Sequence, residues 1–155
     1  MIRLILLSFF AAVAAGLLFV NLYNSIVDAP NWGASMTDSI VAARQYFSVA
    51  NPGTFFRIVS PLSQVLALIA VIICRKNNRY LALGSLALAI LADVMTFAYF
   101  YPRNEILFSA PIDEMAVRLA WEQWSSMNWV RSGLCLINTV IAFALLISTS
   151  KRLAS

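Results

Sequence analysis

Histidine is absent from all 155 residues. Its absence removes histidine-ligated haem, histidine-containing zinc sites and any Ser-His or Cys-His nucleophile pair. Charge is scarce as well: Asp, Glu, Lys and Arg make up 12% of the chain, about half the share usual in soluble domains. Cysteine occurs twice, as Cys74 and Cys135. The topology argued below puts them near opposite faces of a membrane, beyond the short reach of a disulfide, so they say little about redox compartment. There is no internal repeat and no low-complexity tract.

What fills the chain instead is apolar. Hydrophobic residues make up 61% and the mean hydropathy is +0.81. Four apolar runs, residues 4–23, 55–74, 80–101 and 131–150, each approach the ~20 residues that carry a helix across a hydrocarbon core of ~30 Å. Helix is the expected form because a backbone in lipid must satisfy its own hydrogen bonds. These runs predict an all-α polytopic membrane protein. Residues 1–155 form one integral domain, an antiparallel four-helix transmembrane bundle in a lipid bilayer, with short surface helices in two outward loops.

The net charge of +4 raises the question of a nucleic-acid partner, and its distribution answers against one. Arg3, Arg75, Lys76, Arg79, Lys151 and Arg152 fall at the N-terminus, in the link between spans two and three, and at the C-terminus, with no acid among them. Four spans put these segments on one side, which the positive-inside rule makes cytoplasmic. Arg44, Arg57, Arg103, Arg118 and Arg131 lie on the other side, so the density of "RKNNR" decides the orientation. The expectation is an integral protein of the plasma (inner) membrane with both termini cytoplasmic. The opening "MIRLILLSFFAAVAAG" resembles a signal peptide, but its apolar run continues through "LLFV" to Val20, longer than a typical signal core, which favours a retained first span.

The link "RKNNR" is short enough to force spans two and three into a helical hairpin. In the first outward loop Met36, Ile40, Ala43 and Phe47 recur at helical spacing until "NPG" breaks the pattern. In the second, Pro111 suits a first helical turn, Asp113 and Glu114 suit its positive end, and Met115 and Leu119 share a face. Trp32, Trp121, Trp124 and Trp129 all sit in or near these outward segments. They read either as an interfacial aromatic belt, the reading favoured here, or as a wall around an aromatic ligand.

Polar residues gather towards the outward end of every span. Asn21, Asn24 and Asp28 share a helix face, as do Arg57, Ser60, Pro61 and Gln64; the third span carries Asp93, and the fourth carries Arg131 with Asn138 two turns deeper. The inner halves are nearly pure Leu, Ile, Val and Ala. The simplest geometry is a cavity opening outward. A carboxylate near mid-membrane costs about 2.5–3.5 kcal/mol unless it faces the bundle interior, water or a partner. Asp93 therefore either forms a register-fixing ion pair with Arg57 or Arg131, or acts as a base while an arginine stabilises the resulting anion. Asn21, Gln64 and Asn138 read first as interhelical glue and second as ligand contacts, and Pro61 as a tolerated kink.

"PRNEIL" at 102–107, followed by "WEQWSSMNWVRSG" leading into the last span, resembles the Pro-x-Asn-x-x-Leu and Trp…Asn/His-x-x-Arg signatures of the anthrone-oxygenase-like family of small four-span membrane proteins, mostly of unknown function. "AGLLF" in the first span and "NPGTFFRIVSP" before the second fit its layout. The resemblance points to Asn104, Trp124, Asn128 and Arg131, with Asn21 and Arg57 beside them. It implies oxidation of an anthrone to an anthraquinone by molecular oxygen without a conventional cofactor. Oxygenase-assigned relatives can carry histidine in the loop before the last span; here Asn128 stands there, and asparagine is no base near neutral pH.

The candidate catalytic residues are thus Asp93 and Arg131. The candidate substrate-binding residues are Asn21, Arg57, Gln64, Asn104, Trp124, Asn128 and Asn138. No metal or cofactor is expected. The partner is a flat, apolar small molecule, phenolic or quinone-like. The competing reading is a non-enzymatic ligand-binding or transport module, or an accessory subunit. That reading expects a homo-oligomer or a membrane-complex partner, for which the small-residue seam "LALGSLALA" at 81–89 is a candidate.

Overall fold

The computed structural model describes residues 1–154. Four helices are long and apolar enough to cross a membrane: α1 (Ile2–Gly33), α3 (Pro52–Ile73), α4 (Lys76–Phe108) and α5 (Glu114–Ala154). A shorter helix, α2 (Thr37–Tyr46), joins the first two. In the bundle α1 packs on α3 and α5, and α4 packs on the same two, closing a ring of four. No strand occurs among the described residues. The all-α membrane bundle read from the sequence is the fold observed.

Local chemistry sets the helix ends. Asn51 caps α3 by accepting from the Thr54 amide at 3.2 Å while the Thr54 hydroxyl returns to the Asn51 amide, and Pro52 occupies the first turn, where its missing N–H costs nothing. Asp113 caps α5 by accepting from the amides of Met115 and Ala116 at 3.0 and 3.1 Å. Between α3 and α4 only Cys74 and Arg75 are non-helical. Most of "RKNNR" therefore forms the first turn of α4.

The second outward loop departs from expectation. No separate surface helix starts at Pro111; residues 114–130 run unbroken into the last span, making α5 41 residues long. At 1.5 Å per residue α5 measures about 60 Å and the 33-residue α4 about 50 Å, so both project well past a hydrocarbon core of ~30 Å. The inward face is also not the one expected: Met115 and Leu119 are exposed, whereas Val117, Ala120 and Trp124 are buried. The first loop does follow its pattern, with Met36, Ile40 and Ala43 buried and Phe47 half-buried.

Two apolar cores result. Towards the chain termini, Leu7, Phe10, Ala11 and Ala14 of α1 meet Leu66, Ala67 and Ala70 of α3, Ala82 of α4 and Leu145 of α5. The many alanines let backbones approach closely where lipid offers no hydrophobic drive to association. At the loop end, Trp32, Met36, Ile40, Phe100, Leu107, Val117 and Trp124 form a second core. Arg44 of α2 pins it by donating to the carbonyls of Leu107 and Ile106 at 2.9 and 3.2 Å, closing the end of α4. Trp121 donates from Nε1 to the Ala29 carbonyl at 2.7 Å, and its ring lies so close to Gly33 that a Cβ there would overlap it.

Candidate functional site

A polar band separates the two cores. Asn21, Asn24, Ser25, Ser63, Asn128, Arg131, Ser132 and Asn138 are all buried there. At this depth α1 and α4 both open into single π-helical turns, Asn24–Asp28 and Thr96–Phe100. Such bulges recur at functional sites, where the extra residue per turn re-aims side chains.

Two cavities meet in the band. The larger, about 350 Å³, lies among the loop-end aromatics; its wall includes Asn24, Trp32, Phe47, Arg57, Asn104, Glu105 and Trp124. That volume suits a small aromatic molecule. The smaller, about 30 Å³, reaches down between the helices past Asn21, Ser63, Cys135 and Asn138, room for a water or two. Phe56, Asp93, Thr96 and Arg131 line both.

Arg131 is the most constrained of these residues. Its side chain is 5% exposed, with the guanidinium carbon 4.1 Å from the Phe100 ring centroid and 4.8 Å from that of Phe56. Ring faces stabilise a cation that has lost its water. Nη2 donates to Asn128 Oδ1 at 2.6 Å and Nη1 to Thr96 Oγ1 at 3.5 Å, while Nε has no partner. A guanidinium carries five N–H donors and no acceptor, so capacity for an anion remains on the cavity wall.

Asn128 is held as firmly. Its Nδ2 donates to the Asn21 carbonyl at 3.1 Å and to Ser25 Oγ at 2.7 Å, which turns Oδ1 towards Arg131. It is fully buried behind the wall and lies inside α5 rather than in a loop. Asn128 thus holds one end of the Arg131 guanidinium and lines neither cavity.

Asp93 sits across the cavities. The ion pair with an arginine expected as one alternative is not formed. Asp93 accepts from Gln64 Nε2, with Ser60 beside it, because α3 presents these two groups opposite it. Arg131 is drawn instead to Asn128 and the phenyl rings. Gln64 reaches the site only through this bond. Arg57 is exposed at the rim of the larger cavity and donates to its own helix at Gly53 O, 3.4 Å away.

The remaining candidates divide by depth. Asn104 Oδ1 accepts from Trp124 Nε1 at 2.9 Å, and both line the larger cavity. Asn138 accepts from Ser85 Oγ in the smaller one. Asn21 donates to the Leu17 carbonyl at 2.8 Å and to Cys135 Sγ at 3.5 Å, and its Oδ1 has no partner. Trp32 and Trp124 are interior and only Trp129, among the tryptophans, is largely exposed, so the aromatic belt describes one of the four. Among the described residues no group of three or more Cys, Asp or Glu side chains gathers as metal ligands would.

Sequence reasoning missed Phe56, Thr96, Phe100 and Cys135 as wall residues. Thr96 and Phe100 follow Asp93 at three and seven positions, a spacing that a helical projection from Asp93 would have found.

Comparison with curated proteins and with solved structures returns no match. A family model described as anthrone oxygenase matches residues 53–141, more than half the chain, including Asp93, Asn104, Trp124, Asn128 and Arg131 but not the α1 wall. By that match, and by the four apolar helices that carry it, the chain belongs to the anthrone oxygenase family.

Proposed function

We propose that the larger cavity binds a flat, apolar, weakly acidic aromatic molecule, phenolic or quinone-like, entering from the side of the membrane away from the termini, and that the protein oxidises it with molecular oxygen. The observation that carries this reading is Arg131: a guanidinium 5% exposed, whose two Nη groups each keep an N–H beyond the bonds to Thr96 and Asn128, on a wall shared with a carboxylate. Preorganised donors of this kind stabilise an anion strongly because the site excludes water and nothing must reorganise.

The chemistry needs a base, an anion-stabilising group and an apolar slot. Asp93 takes a proton from the activated ring carbon of an anthrone. The charge delocalises onto the ring oxygen, which Arg131 holds. Dioxygen accepts electron density from that carbon and forms a C–O bond to it. The second hydrogen then leaves as a proton while the O–O bond cleaves: one oxygen atom stays as the new carbonyl, and the other departs as water with that proton and the one returned by Asp93. Asn128 holds the guanidinium in place, and Trp32, Phe100 and Trp124 supply ring faces.

Oxygen uptake by the purified protein with a panel of anthrones and quinols tests the proposal. Consumption of one dioxygen per anthrone, abolished by Arg131→Ala and by Asp93→Asn, is the expected result; full turnover in either variant removes the assigned role. For the accessory-subunit alternative, Ser85 and Ala89 of the small-residue seam are buried inside the bundle, and Gly84 alone of the three faces open space.

A further inference from the structure

A third cavity, about 50 Å³, lies at the opposite end of the bundle, where the start of α1, the turn between α3 and α4, and the end of α5 converge. Its floor is apolar, formed by Leu7, Ile73 and Cys74, and its rim carries Arg3, Arg75 and Arg152. The three arginines come from three segments distant in sequence, so the fold and not local composition brings them together. Asn78, buried on the same wall, is fixed by donating from Nδ2 to Ser148 Oγ at 2.9 Å.

Charge at this end is one-sided. No aspartate or glutamate occurs in residues 1–27, 65–92 or 123–155. The long helix α4 also begins here, and no side chain caps its N-terminus, so its dipole adds positive potential beside Arg75. The cavity is too small for a ring system but has room for several water-sized groups, the bulk of a tetrahedral anion. Its position at the ends of the four spanning helices puts it at headgroup depth.

We infer that this pocket binds a phosphate-bearing anion, supplied either by the headgroup of an anionic phospholipid or by soluble phosphate. Arg3 and Arg75 face the phosphate oxygens from two sides, and the apolar floor lies against the glycerol or acyl stem when the source is a lipid. The site is separate from the polar band and is independent of the reaction proposed there.

The test uses the full chain in neutral-lipid nanodiscs, titrated with short-chain phosphatidylglycerol, short-chain phosphatidylcholine or inorganic phosphate while thermal stability is followed. Phosphatidylglycerol should raise the transition and phosphatidylcholine should not. Arg3→Gln/Arg75→Gln should weaken the response about tenfold or more, given about 1 kcal/mol per basic residue near an anionic surface, while Lys76→Gln/Lys151→Gln, which removes equal charge outside the pocket, should weaken it less than about threefold. An arginine-dependent response to inorganic phosphate alone identifies the soluble source. Equal losses in the two pairs, or no anion-dependent shift in the unaltered protein, overturn the inference. The single variants Arg3→Gln and Arg75→Gln, each with a smaller loss, give the same discrimination should the pair fail to fold.

Discussion

Between residues 7 and 14, α1 buries Leu7, Phe10, Ala11 and Ala14; between 21 and 32 it buries Asn21, Asn24, Ser25 and Trp32. One helix thus contributes to two interiors of different kinds. In the first, alanine against leucine fills the space between four backbones. In the second, buried polar atoms outnumber the partners available to them: Asn21 Oδ1, Asn24 Nδ2, Ser63 Oγ and Arg131 Nε all lack one. Three of these four belong to residues on the wall of the smaller cavity and two to residues on the wall of the larger. Buried groups left unpaired are costly, so the second interior contributes less to stability than the first. The first holds the bundle together.

Substitutions can break this division. The largest effect on stability should come from Phe10→Ala in the terminal-side core, a loss of about 3–5 kcal/mol by unfolding in detergent, with affinity for an aromatic probe unchanged in the folded fraction. A loss below about 1 kcal/mol would mean that this core does not carry the bundle. Arg131→Met should do the reverse, lowering turnover roughly 10²–10³-fold while costing less stability than Phe10→Ala; Arg131→Lys should recover little, since a point charge on a flexible stem replaces neither the fork to Asn128 and Thr96 nor the stacking on Phe56 and Phe100. Trp124→Phe keeps the ring but loses the bond to Asn104, and about 0.5–1.5 kcal/mol should disappear from probe affinity measured by titration. Smallest of all, Ser85→Ala at the border of the two halves should cost about 0.6 kcal/mol and leave turnover unaltered.

The helices were legible because a hydrocarbon solvent permits few alternatives: run length and hydropathy located all four, and "NPG" marked the start of α3. Their ends were less so. Residues 114–130 mix Trp, Glu, Gln, Ser and Asn and read as a loop holding a separate short surface helix, yet they continue α5 because Val117, Ala120 and Trp124 fall on one face and pack against α1 and α4. For the site, the meeting of Asp93, Arg131, Asn104 and Trp124 around common space could be anticipated from depth alone. Who touches whom could not. Asp93 and Arg131 attract by charge, but Gln64 stands closer to one and Asn128 to the other, and neither preference leaves a mark in spacing. The two π-helical turns are equally silent in sequence, since inserting one residue into a turn changes the projection without changing composition.

At Gly33 the long helix α5 meets α1 across a hydrogen in place of a side chain. The indole of Trp121 occupies the volume a methyl group would take and ties itself to Ala29 from there. Alanine at 33 would lever the upper stretch of α5 off α1. The spacing between those two helices is therefore gauged by the smallest side chain available.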